Sequence, residues 1–430
     1  MNRSRRRFPR LAALLVLLGV ALGPAGAARA NGAFPDEFSI HFAPDAPHRI
    51  YLGANFGLLV SEDDGATWRY ACEPWVVSSS NAALASASVS FYQVTADGAL
   101  LANSITMTRS SDVACTWPTS TGSISGQSVA DFFPDPNDAS RVLAVVVLPG
   151  ASYIVASHDG GKTFDAPHLY DTPDLLTGVE IARSNPAVVY ATSNSPSGGA
   201  AKFLASANSG ATWTPTDMAI DPATTPRILA VDPANEKIVY VRVVGAISDA
   251  IWKSVDGGQT FTTMLPPVGG QLSSFLLAND GAIYAGTRGG KLYVQPAGTT
   301  GFAARDSYHL RCLGQRPGTN RIYACTDFVL DGFSIATSDD KTATFQPLMT
   351  FTQILGPLTC PPVQTNCQAH WSRIQGVLGI SPAPDAGQGG SDGGTTPSGG
   401  SHCASAGVDA WSLWVALGVV ARGRRRRRTL

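Results

Sequence analysis

Short apolar runs rich in β-branched and aromatic residues alternate with Asp, Pro and Gly turns along most of the chain. Examples of these runs are RIYLGA at 49, RVLAVVV at 141, IVYVRV at 238 and RIYACT at 321. Upstream of most of them lies another apolar run that ends in a turn, as in FSIHFAPDAP at 38 and RILAVDPANE at 227. Short runs of this composition, bounded by turn residues, are typical of β-strands. The pattern therefore predicts an all-β fold.

A repeated octapeptide follows the predicted strands of each unit. Its best copies are SEDDGATW at 61, SHDGGKTF at 157, SANSGATW at 206 and SVDGGQTF at 254. Degenerate copies are SSDVACTW at 110, QPAGTTGF at 295 and SDDKTATF at 338. The copies begin 41 to 49 residues apart, a spacing typical of β-propeller blades. Seven units of four strands predict a seven-bladed β-propeller of four-stranded blades over residues 31–350.

The octapeptide contains the residue types that a tight strand reversal needs. Its third residue accepts backbone N–H bonds inside the turn, and its glycine supplies a positive φ. The closing Trp or Phe is expected to be buried between adjacent sheets. A calcium loop is the competing interpretation, but the Glu that closes such a loop is missing, so we expect no bound metal. The predicted structural residues are Asp63, Asp112, Asp159, Asn208, Asp256 and Asp340.

Residues 1–30 have the pattern of a cleaved secretory signal peptide. A basic segment is followed by an apolar stretch and by a small-residue site ending at Ala30. The stretch SRRRFPR at 4 is similar to a twin-arginine export motif, so export by the general or by the twin-arginine route stays open. Either route predicts a mature domain outside the cytoplasm.

The C-terminal part has three successive segments. Residues 381–402 form a Gly/Ser/Pro linker, Cys403 and a mostly apolar stretch follow, and an Arg cluster ends the chain. This arrangement resembles the MYXO-CTERM sorting signal of myxobacterial surface proteins. The resemblance implies a sorting protease that acts near Cys403, with residues 403–430 as the sorting and transmembrane tail. The alternative is an unprocessed membrane anchor, so the protein is predicted at the cell envelope or outer surface, anchored or released after processing.

The net charge of −1 for the whole chain conceals an acidic domain between two basic ends. Residues 31–402 contain 31 acidic and 19 basic side chains, which gives a net charge of about −12. Such a surface repels nucleic acid and anionic lipid headgroups. We therefore expect no nucleic-acid partner, and we expect a monomer with no cofactor.

Six cysteines remain once Cys403 is assigned to sorting, and an even number in an oxidising compartment favours disulfides. Cys312 and Cys325 lie on neighbouring predicted strands. Cys360 and Cys367 bracket a short Pro-containing segment, and Cys72 and Cys115 form the third expected pair, with free thiols as their alternative. Residues 351–380 either complete a blade or form a disulfide-containing cap.

The octapeptides resemble the Asp-box (BNR) repeats of sialidases, xyloglucan-hydrolysing enzymes and sortilin-type receptor propellers. The resemblance covers residues 37 to about 350 and implies the fold rather than an activity. Sialidases also carry an Arg triad, a Phe-Arg-Ile-Pro motif and a Tyr/Glu nucleophilic pair. Here HRIY at 48 is the nearest match to that motif, and the chain has only five Glu residues, so we identify no catalytic residues.

We therefore predict a surface-displayed, non-catalytic binding or structural module with a glycan or protein ligand. The alternatives are a glycoside hydrolase with paired Asp residues on the propeller face and an envelope assembly factor with an apolar patch. We expect a ligand in the loops opposite the octapeptide turns, where aromatic and acidic side chains suit sugar or peptide binding. The candidate residues are Trp75, His168, Tyr170, Asp171, Asp174, Arg305, Asp306 and Tyr308.

Overall fold

The computed structural model describes residues 37–77, 91–104 and 106–380 of the chain. These residues form seven β-sheets arranged as the blades of a propeller, which confirms the predicted fold class. The signal peptide with Ala30, the linker and the tail with Cys403 lie outside the described residues.

The first three blades occupy residues 37 to 172. Blade 1 contains β1 (Glu37–Phe42), β2 (Ile50–Ala54), β3 (Gly57–Ser61) and β4 (Trp68–Cys72). Blade 2 contains β5 (Phe91–Val94), β6 (Leu100–Asn103) and β7 (Met107–Ser110). Its expected fourth strand is reduced, in the described part, to a single bridge between Thr108 and Thr119. Blade 3 contains β8 (Thr121–Gly122), β9 (Ser128–Pro134), β10 (Val142–Leu148), β11 (Ala151–Ser157) and β12 (Thr163–Thr172).

The remaining four blades are antiparallel four-stranded sheets. Blade 4 contains β13 (Leu175–Ile181), β14 (Val189–Asn194), β15 (Lys202–Ser206) and β16 (Thr214–Asp217). Blade 5 contains β17 (Thr225–Val231), β18 (Val239–Val244), β19 (Asp249–Ser254) and β20 (Thr262–Leu265). Blade 6 contains β21 (Leu272–Leu277), β22 (Ile283–Thr287), β23 (Lys291–Gln295) and β24 (Ala303–Asp306). Blade 7 contains β25 (Leu310–Gln315), β26 (Ile322–Thr326), β27 (Ile335–Ser338) and β28 (Gln346–Met349).

In every blade except blade 3 the first strand lies at the centre of the ring. In blade 3 the central strand is β9, because the short β8 pairs with the outer strand β12. β1 packs beside β5 of the next blade and beside β25 of the last one, so the ring closes between blades 7 and 1. The chain therefore leaves each central strand through a first turn, and it reverses again at the octapeptide between the third strand and the outer strand. Because the strands are antiparallel, both turns lie on the same face of the propeller. We call this the octapeptide face.

Aromatic and aliphatic side chains fill the spaces between the sheets. Trp68 and Phe164, which close two octapeptides, are 1% and 0% exposed. Phe261 lies edge-on to Phe203 of the preceding blade, with ring centroids 5.0 Å apart. The indole N–H of Trp68 donates to the carbonyl oxygen of Gly65 at 2.9 Å. The expected burial thus holds for Trp68, Trp117 and Phe164, whereas Trp213, Phe261 and Phe345 are only partly buried.

The chain beyond blade 7 returns to blades 1 and 2. A short 3-10 helix (Phe351–Gln353) leads into β29 (Ile354–Pro357), which pairs in parallel with the outer strand β4. A helix of 17 residues (Pro361–Val377) then packs against blade 1 through Val363, Cys367, Trp371 and Ile374. Two further helices in the described residues are single turns, at Glu73–Val76 and Phe328–Asp331. Residues 351–380 thus both extend a blade and cover its outer edge.

The disulfides correct two of the three expected pairings. Cys312 and Cys325 face each other on β25 and β26 and are joined, as expected. Cys72, however, pairs with Cys367, and Cys115 pairs with Cys360. Cys360 and Cys367 do not bracket a loop, because the helix begins at Pro361 between them. That helix carries both cysteines back to blades 1 and 2, where Cys72 and Cys115 lie.

Candidate ligand-binding site

The octapeptide acids are fully engaged inside their own turns. In blade 1 the Ser61 hydroxyl and the Thr67 N–H donate to Asp63 Oδ1, both at 2.8 Å. The Thr67 hydroxyl donates to Asp63 Oδ2 at 2.7 Å, and the Gly65 N–H donates to Ser61 Oγ at 2.8 Å. The same bonds between serine, acid and threonine recur around Asp112, Asp159, Asp256 and Asp340. These groups hold turns in separate blades and do not share a pocket.

Hydrogen bonding keeps these carboxylates ionised. The hydroxyl and backbone N–H of Thr260 lower the pKa of Asp256 to about 2, and Thr344 does the same for Asp340. Asn208 replaces the acid in blade 4, where its Oδ1 accepts from Ser206 Oγ and from the Thr212 N–H while its Nδ2 donates to Thr212 Oγ1. An uncharged amide therefore makes the same turn, which fits a role in shape alone.

Six of the eight ligand candidates expected in loops lie in regular elements instead, because the outer strands run further than expected: His168, Tyr170 and Asp171 in β12, Arg305 and Asp306 in β24, and Trp75 in the helix Glu73–Val76. All eight are occupied by contacts within the protein. His168 stacks on Tyr153 at 3.7 Å between ring centroids and bonds Asp171 at 2.8 Å. Tyr170 packs against Trp213, and Asp174 accepts from Lys202 Nζ at 2.7 Å.

The remaining candidates lie elsewhere on the ring. Trp75 donates to the carbonyl oxygen of Cys115 at 3.0 Å, Tyr308 packs on Phe333 and Phe345, Arg305 contacts Thr342, and Asp306 contacts Lys291. The candidates thus fall into three groups, namely Trp75, residues 168–174 and residues 305–308. No bond or ring contact among the described residues joins one group to another.

A cavity of about 550 Å³ lies instead on the octapeptide face, around the propeller axis. The ends of the central strands and the turns after them form its wall, with contributions from blades 1, 2, 3, 4 and 7. Phe42 and Phe133 supply its aromatic surface. Its five prolines are Pro44, Pro47, Pro134, Pro136 and Pro317. Proline suits these turns because its fixed φ presets them, and its missing N–H leaves one fewer donor without a partner. We call this the axial cavity.

Two arginines are the only charged residues among the described residues that line the axial cavity. Arg183 is exposed, and the side chain of Asn137 fixes its backbone by donating to the Arg183 carbonyl oxygen at 2.7 Å. Arg316 lies over the Phe42 ring at 5.1 Å from its centroid and donates from Nη2 to Asp64 Oδ1 at 2.8 Å. The cavity therefore combines an apolar wall with positive charge.

A second cavity of about 600 Å³ lies beside the first, between blades 7 and 1. The two cavities share Pro47 and Arg316. Polar and charged side chains are paired with one another in the second cavity. His48 Nδ1 lies 2.5 Å from Asp64 Oδ2, and Arg321 makes two bonds to Asp339 at 2.8 and 2.9 Å. This cavity is more polar than the axial cavity and less suited to an apolar ligand.

Two carboxyl groups on central strands have raised pKa values. Burial raises the pKa of Asp131 to about 6 and that of Glu180 to about 7, although each accepts a backbone N–H. Asp131 accepts from Val179 of the next blade at 2.9 Å, and Glu180 accepts from Val231 of the blade after that at 2.8 Å. These acids thereby connect blades 3, 4 and 5 at the centre of the ring, and neither lines the axial cavity.

One sequence feature could have indicated the axial cavity, namely proline in the turns that follow the central strands. FAPDAP at 42, FPDP at 133 and RPG at 316 place proline in three of these turns. Each turn alone looks like an ordinary strand connection. Glu180, an acid in the apolar run LLTGVEIA at 175, was the corresponding signal for the central carboxyl groups.

No helix in the described ranges is both long and apolar enough to cross a membrane. Those residues also include no group of three or more His, Cys, Asp or Glu side chains placed to hold a metal ion.

Comparison with known proteins supports the fold. No protein-family model matches the chain, and no curated protein matches it. An ancestral GH74 enzyme is 13% identical with a TM-score of 0.52, over 73% of this chain and 46% of that chain. The Dos1 propeller is 10% identical with a TM-score of 0.50, over 74% and 86% of the two chains. This chain thus corresponds to less than half of the GH74 enzyme's length, and the similarity at these identities establishes a seven-bladed β-propeller fold.

Proposed function

We propose that the protein is an exported binding module whose ligand occupies the axial cavity. The supporting observation is the cavity itself, at the centre of the octapeptide face. Its volume is about 550 Å³, and its wall is mainly apolar with two arginines. Ligand sites are commonly concave, largely apolar and furnished with a few polar groups that fix orientation. The axial cavity has each of these properties, which supports its assignment as the site.

Of the two ligand classes expected from the sequence, a protein segment fits this cavity better than a glycan. Sugar sites need planar rings for stacking and many hydrogen-bonding side chains. The polar uncharged side chains in the described wall are Gln93 and Thr95, whereas proline and aliphatic surface predominates. An extended peptide presents apolar side chains that can fill such a surface.

Hydrolysis of glycosides has less support. It requires two carboxyl groups placed on either side of the scissile bond. The described residues of the axial cavity include neither Asp nor Glu, and the octapeptide acids are committed to their turns. Asp131 and Glu180 have raised pKa values, but each is bonded to the backbone of the neighbouring blade. We therefore assign them a structural role.

We also propose that the N-terminal and C-terminal segments direct the module to the cell surface. Three disulfides agree with an oxidising compartment outside the cytoplasm. The proposed route is removal of residues 1–30, followed by sorting through Cys403 after the 381–402 linker. Mass spectrometry of the envelope-associated protein tests this proposal, because processing predicts termini near residue 31 and near Cys403. Intact ends in the surface fraction would contradict it.

Parallel peptide and glycan arrays test the proposed ligand class. Ala96 is exposed and lines the axial cavity, so Ala96→Trp is expected to fill the cavity without disturbing the core. Ala234→Trp is the matched control, because Ala234 is an exposed residue in the corresponding turn of blade 5, outside the cavity. We expect saturable peptide binding that only Ala96→Trp abolishes. Binding to glycans alone, or release of reducing ends from a polysaccharide, would overturn the proposal.

A further inference from the structure

The charge at the axial cavity is opposite to the charge of the domain around it. The region from residue 31 to 402 has a net charge of about −12. Within it, the described wall of the axial cavity contains Arg183 and Arg316 and no acidic side chain. An acidic ligand would be repelled by most of this surface and attracted at the cavity, because local potentials steer charged partners.

The two arginines have different surroundings. Arg183 is exposed, and its guanidinium makes no hydrogen bond or ion pair with the described residues. Arg316 is only 14% exposed in its side chain, its Nη2 already bonds Asp64, and its Nη1 is buried. Arg183 is therefore the group that a ligand can contact directly, whereas the charge of Arg316 is compensated by its ion pair with Asp64.

The backbone that carries Arg183 is held in position from the neighbouring blade. Asn137 Nδ2 donates to the Arg183 carbonyl oxygen at 2.7 Å, and the turn of blade 3 that contains Asn137 also supplies Pro134 and Pro136 to the cavity. The side chain of Arg183 is thus attached to a backbone segment that is held beside the apolar wall. A planar guanidinium has the donor geometry that a carboxylate accepts in two parallel bonds.

We propose that the axial cavity selects peptide segments that carry a carboxylate, with Arg183 as its direct partner and the prolines contacting the apolar part of the ligand. This inference rests on the proposed function and adds the chemical class of the ligand. The carboxylate belongs either to an Asp or Glu side chain or to the C-terminus of the segment. Both sources present the same group to Arg183.

Fluorescence titration of the purified protein with synthetic hexapeptide pools tests the inference. The pools are acetylated and amidated, with one position fixed as Glu in one pool and as Gln in the other. A third pool has the Gln position and a free C-terminal carboxylate. The variants are Arg183→Gln, Ala96→Trp and Lys237→Gln. Lys237 is exposed in the corresponding turn of blade 5, so its substitution removes the same charge from the same face, outside the cavity.

We expect the Glu pool or the free-carboxylate pool to bind about five- to tenfold more tightly than the amidated Gln pool, as one charge-assisted contact predicts. Arg183→Gln should abolish this preference, and Lys237→Gln should retain it. The preference should also weaken as salt rises. Which carboxylate pool binds better identifies the source of the group.

Outcomes that would overturn the inference alone are distinguishable from those that would also overturn the proposed function. Equal binding of all pools, lost in Ala96→Trp, would retain the axial cavity as the site and reject carboxylate selection. A carboxylate preference that persists in Arg183→Gln would reject the assigned residue. Absence of binding to any pool, or binding unaffected by Ala96→Trp, would reject the proposed function together with the inference.

Discussion

Cys72, the last residue of blade 1, is joined by a disulfide to Cys367 of the C-terminal helix, 295 residues further along the chain. Cys115 and Cys360 make a second connection of this kind across 245 residues. Together with the parallel pairing of Ile354 and Trp68, these bonds fasten residues 351–380 to blades 1 and 2. The ring is therefore closed covalently as well as by packing between blades 7 and 1.

The long disulfide is expected to stabilise the fold more than the short one. Because Cys115–Cys360 stays closed when Cys72–Cys367 is removed, the Cys72–Cys367 bond closes a further loop of about 50 residues. In the chain-entropy account it contributes about 4 kcal/mol, whereas the bond across 13 residues contributes about 3 kcal/mol. Urea denaturation of Cys72→Ala/Cys367→Ala should therefore show a larger loss of unfolding free energy than Cys312→Ala/Cys325→Ala. Equal losses would contradict this account of ring closure. Mapping of peptides without reduction checks the pairing itself, and a Cys72–Cys115 peptide would contradict it.

A glycine in the blade 5 octapeptide is fixed by two constraints. Gly258 has a φ of +88°, and a Cβ at this position would lie 2.0 Å from a ring carbon of Phe203 in blade 4. Gly258→Ala should therefore destabilise the protein by about 2 to 4 kcal/mol, from left-handed strain plus overpacking. Gly376 is the control, because it has no positive φ and open space around it, so Gly376→Ala should be neutral or slightly stabilising. A neutral Gly258→Ala would contradict the packing assigned to this turn.

The octapeptide of blade 4 offers a stabilising substitution. Ser209 is exposed and has a φ of +62°, where blades 3 and 5 have glycine at the corresponding positions. Ser209→Gly should raise the unfolding free energy by about 0.5 to 1 kcal/mol. The strain relieved in the folded state exceeds the cost of the greater conformational entropy that glycine gives the unfolded chain. Ser209→Ala keeps the strain and should give no gain. If both variants behave alike in urea denaturation, the explanation from φ is wrong.

Glu180 should make stability depend on pH. Burial raises its pKa from 4.5 to about 7, so between these values the folded protein retains a proton that the unfolded chain has lost. This contribution to stability is present below about pH 4.5 and is lost as the pH rises through 7. Glu180→Gln keeps an acceptor for the Val231 N–H and does not ionise. The variant should gain on the order of 2 kcal/mol over the parent protein between pH 5 and pH 8. A constant difference across this range would contradict the raised pKa.

The parts of the fold that depend on neighbouring residues could be predicted from the sequence. Asp63 and Thr67 are four positions apart and are hydrogen-bonded to each other, so the octapeptide sequence alone predicts the turn. Repetition of that turn gave the number of blades. Cys312 and Cys325 lie on adjacent strands joined by one turn, and their pairing was predictable for the same reason.

Features assembled from distant segments were not predictable in this way. The sequence around Cys72 does not indicate that its partner is Cys367. Arg316 bonds Asp64, 252 positions away, only because blade 7 lies beside blade 1. The axial cavity needs turns from five blades, each of which is ordinary alone. Aromatic and acidic side chains expected to bind a ligand, such as His168 and Asp174, instead make contacts within the fold, which composition alone does not reveal.

The affinity of the axial cavity for its peptide ligand tests the central claim most directly. The measurement is the dissociation constant of the best-binding hexapeptide pool for the parent protein, for Ala96→Trp and for Ala234→Trp. We predict that Ala96→Trp weakens binding at least tenfold, a loss of about 1.4 kcal/mol or more, whereas Ala234→Trp leaves it unchanged. Equal affinities for all three proteins would contradict the claim that ligands bind at the axis of the octapeptide face.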